Sequence, residues 1–135
     1  MKLTNLLRKI LLVILAYEGL GGLLGGTLLI LGPDGHYMNI PPSVLHGEFA
    51  DFIIPGIILT GMGLLTTIAF IAVLTKHRFD WVLASMSMYG FIIWFAVEIA
   101  VVREIVWLHY MWGLPVVVGG LIVLPKISFE NKNID

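Results

Sequence analysis

The chain contains no cysteine. Disulfides, thiolate nucleophiles and cysteine-ligated metals are thereby excluded. Charge is scarce as well: Asp, Glu, Lys and Arg make up 13% of the 135 residues, against about 25% in an average soluble chain. Eight basic and nine acidic residues leave a formal net charge of −1. No basic field exists to attract phosphate, so no nucleic-acid partner is expected. The four histidines are widely spread, which excludes clustered histidine boxes. No Glu-x-x-His pair, phosphate-binding Gly-x-x-x-x-Gly-Lys loop, His-Glu-x-x-His or Gly-x-Ser-x-Gly motif occurs. Catalysis has little to stand on, and no cofactor or resident metal is expected.

What is present is apolar. Hydrophobic residues make up 59% of the chain, and the mean hydropathy is +0.97. A soluble fold of this size could not hide that much apolar surface. The composition therefore implies a single all-α membrane domain over 1–135, with the lipid bilayer as its principal partner.

A membrane helix needs about 20 mostly apolar residues. Four stretches qualify: Ile10–Leu31, Phe52–Leu74, Trp81–Val102 and Ile105–Leu124. Each is bounded by charge, proline or glycine. The basic start of Met1–Ala16 resembles a secretory signal, but the apolar run continues to Leu31 with no small-x-small cleavage site, so a retained span is expected. Short connections between spans two and three and between spans three and four make neighbours antiparallel. The expected architecture is an antiparallel four-helix transmembrane bundle. With both termini on one side, that side carries Lys2, Arg8, Lys9, Lys76, Arg78, Lys126 and Lys132, and the other only Arg103. The basic side faces the cytoplasm, so both termini are expected there. The outer side then carries Asp34, Glu48, Asp51 and Glu104.

The one sizeable connection is the outer loop 32–51. Gly32-Pro33-Asp34-Gly35 signals a turn, Pro41-Pro42 argues against helix, and Ser43 is a candidate cap for a short turn carrying Val44, Leu45 and Phe49. Asp51 is expected to cap span two, with Pro55 tolerated in its first turn. Trp107, Tyr110 and Trp112 suit an outer aromatic belt.

In lipid, helices associate through small residues and polar contacts. Stripes at i, i+4, i+7, i+11 run Glu18-Gly22-Gly25-Leu29, Gly56-Thr60-Gly63-Thr67, Ser87-Phe91-Trp94-Glu98 and His109-Gly113-Val116-Gly120. These predict the inward faces. The glycines of span one serve either packing within the chain or a homo-oligomer contact through Gly21/Gly25 or Gly22/Gly26.

Glu18 is the most informative residue. At about 1.5 Å per residue it stands roughly 12 Å into span one, near mid-membrane, and Thr67 and Ser87 fall at similar depth. A carboxyl there faces the interior or a cavity. Either it carries a proton or cation, or it is a neutral acid hydrogen-bonded across a helix interface. Glu98 lies in a different, outer layer. It pairs with Arg103 in an ordinary interfacial ion pair, or the two join His109, His46 and Asp51 in an outward-facing binding site. His77, between Lys76 and Arg78, reads as a solvated loop residue.

Gly32-Pro33-Asp34-Gly35, Met38, Pro41, Leu45, Gly47, Phe49, Asp51-Phe52 and Pro55-Gly56 resemble a loose group of small, functionally uncharacterised bacterial four-span membrane proteins. The group's features are an Asp-Pro-x-Gly turn, in whose place this chain has Pro33-Asp34-Gly35 with the proline first, a proline-containing loop and a Phe-x-Asp-(Phe/Tyr)-x-x-Pro-Gly start to span two. The resemblance covers residues 32–56 and implies a bacterial cytoplasmic membrane; it carries no catalytic residues. The expectation for function is a non-enzymatic accessory, scaffold or assembly role. The alternatives are a small proton- or cation-coupled transporter using Glu18, and a membrane-embedded ligand- or metal-binding protein or enzyme near Glu98 and His109.

Overall fold

The computed structural model describes residues 2–38, 40–103 and 107–134. Glu104, the Ile105 start of the fourth stretch, and the side chains of Val44 and Trp107 lie outside the described residues. The chain is all-helical over four long elements: α1 Lys2–Leu31, α2 Ile53–Leu74, α3 Asp80–Val102 and α4 Trp107–Ile134. Three helices are long and apolar enough to cross a membrane, over Asn5–Leu31, Ile53–Leu74 and Asp80–Val102. The fourth carries a shorter apolar stretch, His109–Leu124.

Two ends differ from expectation. Helix α1 begins at Lys2, so Arg8 and Lys9 extend the helix rather than precede it. Helix α4 continues through Pro125-Lys126 to Ile134; proline clashes with the turn before it but does not always end a helix.

The helices form an antiparallel ring. Positions Gly19, Gly22 and Gly26 of α1 meet Thr67, Gly63 and Thr60 of α2 in descending order. Trp81, Tyr89 and Glu98 of α3 meet Val123, Gly120 and His109 of α4 in the same reversed sense. Helix α1 closes the ring against α4, where Gly21 meets Trp112. Of the three long apolar helices, α1 is the most buried and α3 the least.

The tightest seam is α1–α2. A Cβ on Gly22 would stand 2.8 Å from the Gly63 Cα, and one on Gly26 would stand 2.6 Å from the Thr60 backbone nitrogen. Only residues without a side chain allow backbones this close. The span-one glycines are thus occupied by packing within the chain.

The half of the bundle nearest the α2–α3 turn is filled by Leu11, Ile14, Leu15, Ala69, Val73, Trp81, Ala84, Met88 and Val123. A second, smaller cluster at the other end gathers Leu29, Leu45 and Phe52, with Val101 against it. The loop therefore folds down over the bundle end. Its path uses two 3-10 turns, His36–Met38 and Pro42–Leu45. The second corrects two expectations. Pro42 begins a helical turn, where a missing N–H costs nothing, and Pro41 rather than Ser43 stands at its cap, with no side-chain bond. Gly35 has φ +80, and a Cβ there would lie 1.9 Å from the Ile40 carbonyl oxygen, so only glycine fits. Phe52 rather than Asp51 stands at the N-cap of α2, with no side-chain cap bond; Asp51, one residue further out, accepts from the N–H of Ile53 at 3.0 Å.

The α2–α3 turn ends α2 with a Schellman motif: the N–H of His77 donates to Ala72 O and that of Lys76 to Val73 O. Lys76 occupies the left-handed position at φ 55, where glycine is favoured. Lys76→Gly is expected to stabilise the protein by about 1 kcal/mol, read as a higher Tm in detergent; an unchanged or lower Tm would show that this turn does not persist in solution. His77 is exposed, and its Nδ1 accepts from the N–H of Phe79.

Candidate functional site

Polar side chains inside this ring fall into three layers. At the inner end, the Arg8 guanidinium donates to Val73 O at 2.9 Å and to Asp80 Oδ2 at 3.0 Å, and stands 5.9 Å over the Trp81 ring. Trp81 donates its indole N–H to Val123 O at 3.1 Å. One cluster thus ties all four helices together. Asp80, in the first turn of α3, also suits the positive end of that helix. Sequence reasoning counted Arg8 only as a topological charge and passed over Asp80. The available signal was an acid beside three basic loop residues at the mouth of an apolar span.

In the middle layer the α1 stripe is inward as expected: Glu18, Gly22, Gly25 and Leu29 are all buried. Glu18 is 2% exposed and Ser87 of α3 is 0%. Glu18 Oε1 and Ser87 Oγ are buried with no hydrogen-bond partner. Thr67 is half-buried, facing Gly19, and its hydroxyl donates to Gly63 O at 2.8 Å. The fully buried threonine is its neighbour Thr66, which donates to Met62 O at 2.7 Å. Such bonds to the preceding turn satisfy a hydroxyl without help from another helix.

In the outer layer Glu98 does meet a partner, but it is His109 rather than Arg103. His109 Nε2 lies 3.5 Å from Glu98 Oε1. The ion pairs among the described residues are this one, Arg8–Asp80 and Asp34–His36. Arg103 takes a left-handed conformation, φ 67, which ends α3 and leaves the residue exposed. His109 is 8% exposed and has the Phe95 ring edge-on against it. His46 reaches the same helix end, its Nδ1 lying 2.9 Å from Val101 O. Asp51 serves the start of α2 instead. The five residues of the expected outward site thus resolve into one pair, one loop anchor, one helix end and one contact at the start of α2. Among the described residues no three His, Asp or Glu side chains come together to hold a metal ion.

The aromatic residues are packed more than expected. Trp112 fills the gap at Gly21 and stacks on Tyr17 at 4.4 Å, while Tyr17 donates to Met111 O at 3.2 Å. Tyr110 is exposed, as an interfacial residue would be. In the loop, Asp34 accepts from the ring and backbone of His36, contacts that hold its carboxyl below the usual carboxylate range.

No protein-family model matches the chain, and no curated protein or solved structure shows detectable similarity to it.

Proposed function

We propose that the chain is an integral protein of a bacterial cytoplasmic membrane, crossing it four times with both termini inside. Its role in this reading is non-enzymatic: an accessory, scaffold or assembly protein. Support for insertion comes from the outer surfaces, where large apolar side chains such as Leu20, Leu24, Ile68, Ile93 and Leu121 are exposed along all four helices. Orientation is supported by the seven basic residues on one side against Arg103 on the other. The fourth crossing uses His109–Leu124 with the residues before it.

One observation carries the non-enzymatic reading. The polar groups that reach between helices are engaged in joining them: Arg8 to Val73 and Asp80, Trp81 to Val123, Tyr89 to Gly120 and Tyr17 to Met111. In lipid such bonds take the place of hydrophobic association. Chemistry calls for the opposite arrangement, with several polar groups converging on an open space.

Native mass spectrometry of the protein released from mild detergent tests this reading. The expected spectrum shows the bare chain or a stoichiometric protein complex, with lipid as the only small adduct. A metal or non-lipid molecule retained at fixed stoichiometry would contradict it.

A further inference from the structure

Glu18 is the exception to this pattern of engaged polar groups. Its Oε1 is buried without a hydrogen-bond partner, and so is the Oγ of Ser87. The two share the middle layer, about a turn apart, because Ile14, one turn before Glu18, and Met88, next to Ser87, both meet α4 at Gly119. An unmade hydrogen bond in such a place is costly. A glutamate placed only to join helices would be bonded, as Trp81 and Tyr89 of the same interior are.

The ionisable groups around it are occupied elsewhere. On α1 its neighbour Tyr17 donates to Met111 O. Helix α2 has no ionisable residue between Ile53 and Leu74. On α3, Asp80 is engaged with Arg8 at the inner end, Tyr89 with Gly120, and Glu98 with His109 at the outer end. Among the described side chains of α4, besides His109, Tyr110 is exposed. Among the described residues no ion pair includes Glu18. An ionised carboxylate would stand without counter-charge among apolar groups, so the closed bundle accepts the neutral acid.

We propose that Glu18 is a proton-binding site at the centre of the bundle, holding its proton while the helices are closed. The ligand is a proton alone. Release of the proton leaves a charge that is relieved only by re-protonation or by admitting water between the helices. This goes beyond the joining role of the other polar groups, and its failure would leave that role standing.

Infrared spectroscopy of the intact protein in mild detergent reads the site directly. Water-exposed carboxyl groups are ionised at neutral pH, so a carboxylic-acid carbonyl band there marks a sealed acid. The band is expected in the wild-type protein, to persist in Glu98→Gln and to vanish in Glu18→Gln. Absence of the band from the wild type, its loss in Glu98→Gln, or its survival in Glu18→Gln would overturn the proposal. Where Glu18→Gln fails to fold, the wild-type and Glu98→Gln spectra still decide the matter.

Discussion

Arg8→Ala is expected to lower stability by about 3 kcal/mol, the scale for removing one partner of a buried ion pair. The Asp80 carboxylate is 10% exposed and would lose its counter-charge, and Val73 O would lose the same donor. Arg8→Lys is expected to fall between, since one ammonium cannot reproduce the planar group that serves two acceptors and lies over Trp81. Arg8→Met combined with Asp80→Leu should cost less than Arg8→Met alone, because no orphan charge remains. Thermal or denaturant unfolding in detergent gives these differences. Equal losses for the single and double variants would show that the cluster holds the helix ends by packing, not by charge.

The second large effect concerns a single glycine. Gly63→Ala is expected to destabilise the protein by about 1–3 kcal/mol, the range for overpacking. Its Cβ would stand 2.5 Å from the Leu23 backbone nitrogen and 2.8 Å from the Gly22 carbonyl carbon. Backbone cannot rotate aside as a side chain can, so α1 and α2 must separate. Gly61, half a turn away on the same helix, is the control: a Cβ there meets no atom within 4 Å. Gly61→Ala should be neutral or stabilising by up to about 1 kcal/mol through helix propensity. Similar effects at the two positions would place the α1–α2 seam elsewhere on α2.

Much of this arrangement was legible from spacing. The α1 stripe is correct at all four positions because glycine and a lone carboxyl can satisfy lipid only by facing inward. The α2 stripe slips at its end, where Thr66 rather than Thr67 is fully buried; a fixed spacing does not carry the angle at which two helices cross. Depth arithmetic separated Glu18 from Glu98, and the structure keeps them in different layers.

What spacing could not supply was the conformation of the connections. Arg103 stands five residues after Glu98, close enough to suggest a pair, yet the left-handed residue at the end of α3 takes it away. His109 was on the matching stripe of α4, so that partner was visible as a candidate. Asp80 depends on the Schellman turn at Thr75–His77, which swings the start of α3 over the end of α2 and under Arg8. The path of loop 32–51 is not readable from its sequence, and Leu45, with Phe52 just beyond the loop, packs against Leu29 at the bundle end. Nothing local to the loop encodes that contact.

Membrane insertion with both termini inside is the central claim, and the absence of cysteine makes it directly measurable. Glu48, in the outer loop, and Arg78, in the α2–α3 turn, are both exposed. Glu48→Cys and Arg78→Cys can each be treated in intact bacterial cells with a membrane-impermeant maleimide. The account predicts that Glu48→Cys is labelled in intact cells and Arg78→Cys only after the membrane is opened. Labelling of Arg78→Cys in intact cells, or equal labelling of both, would contradict it.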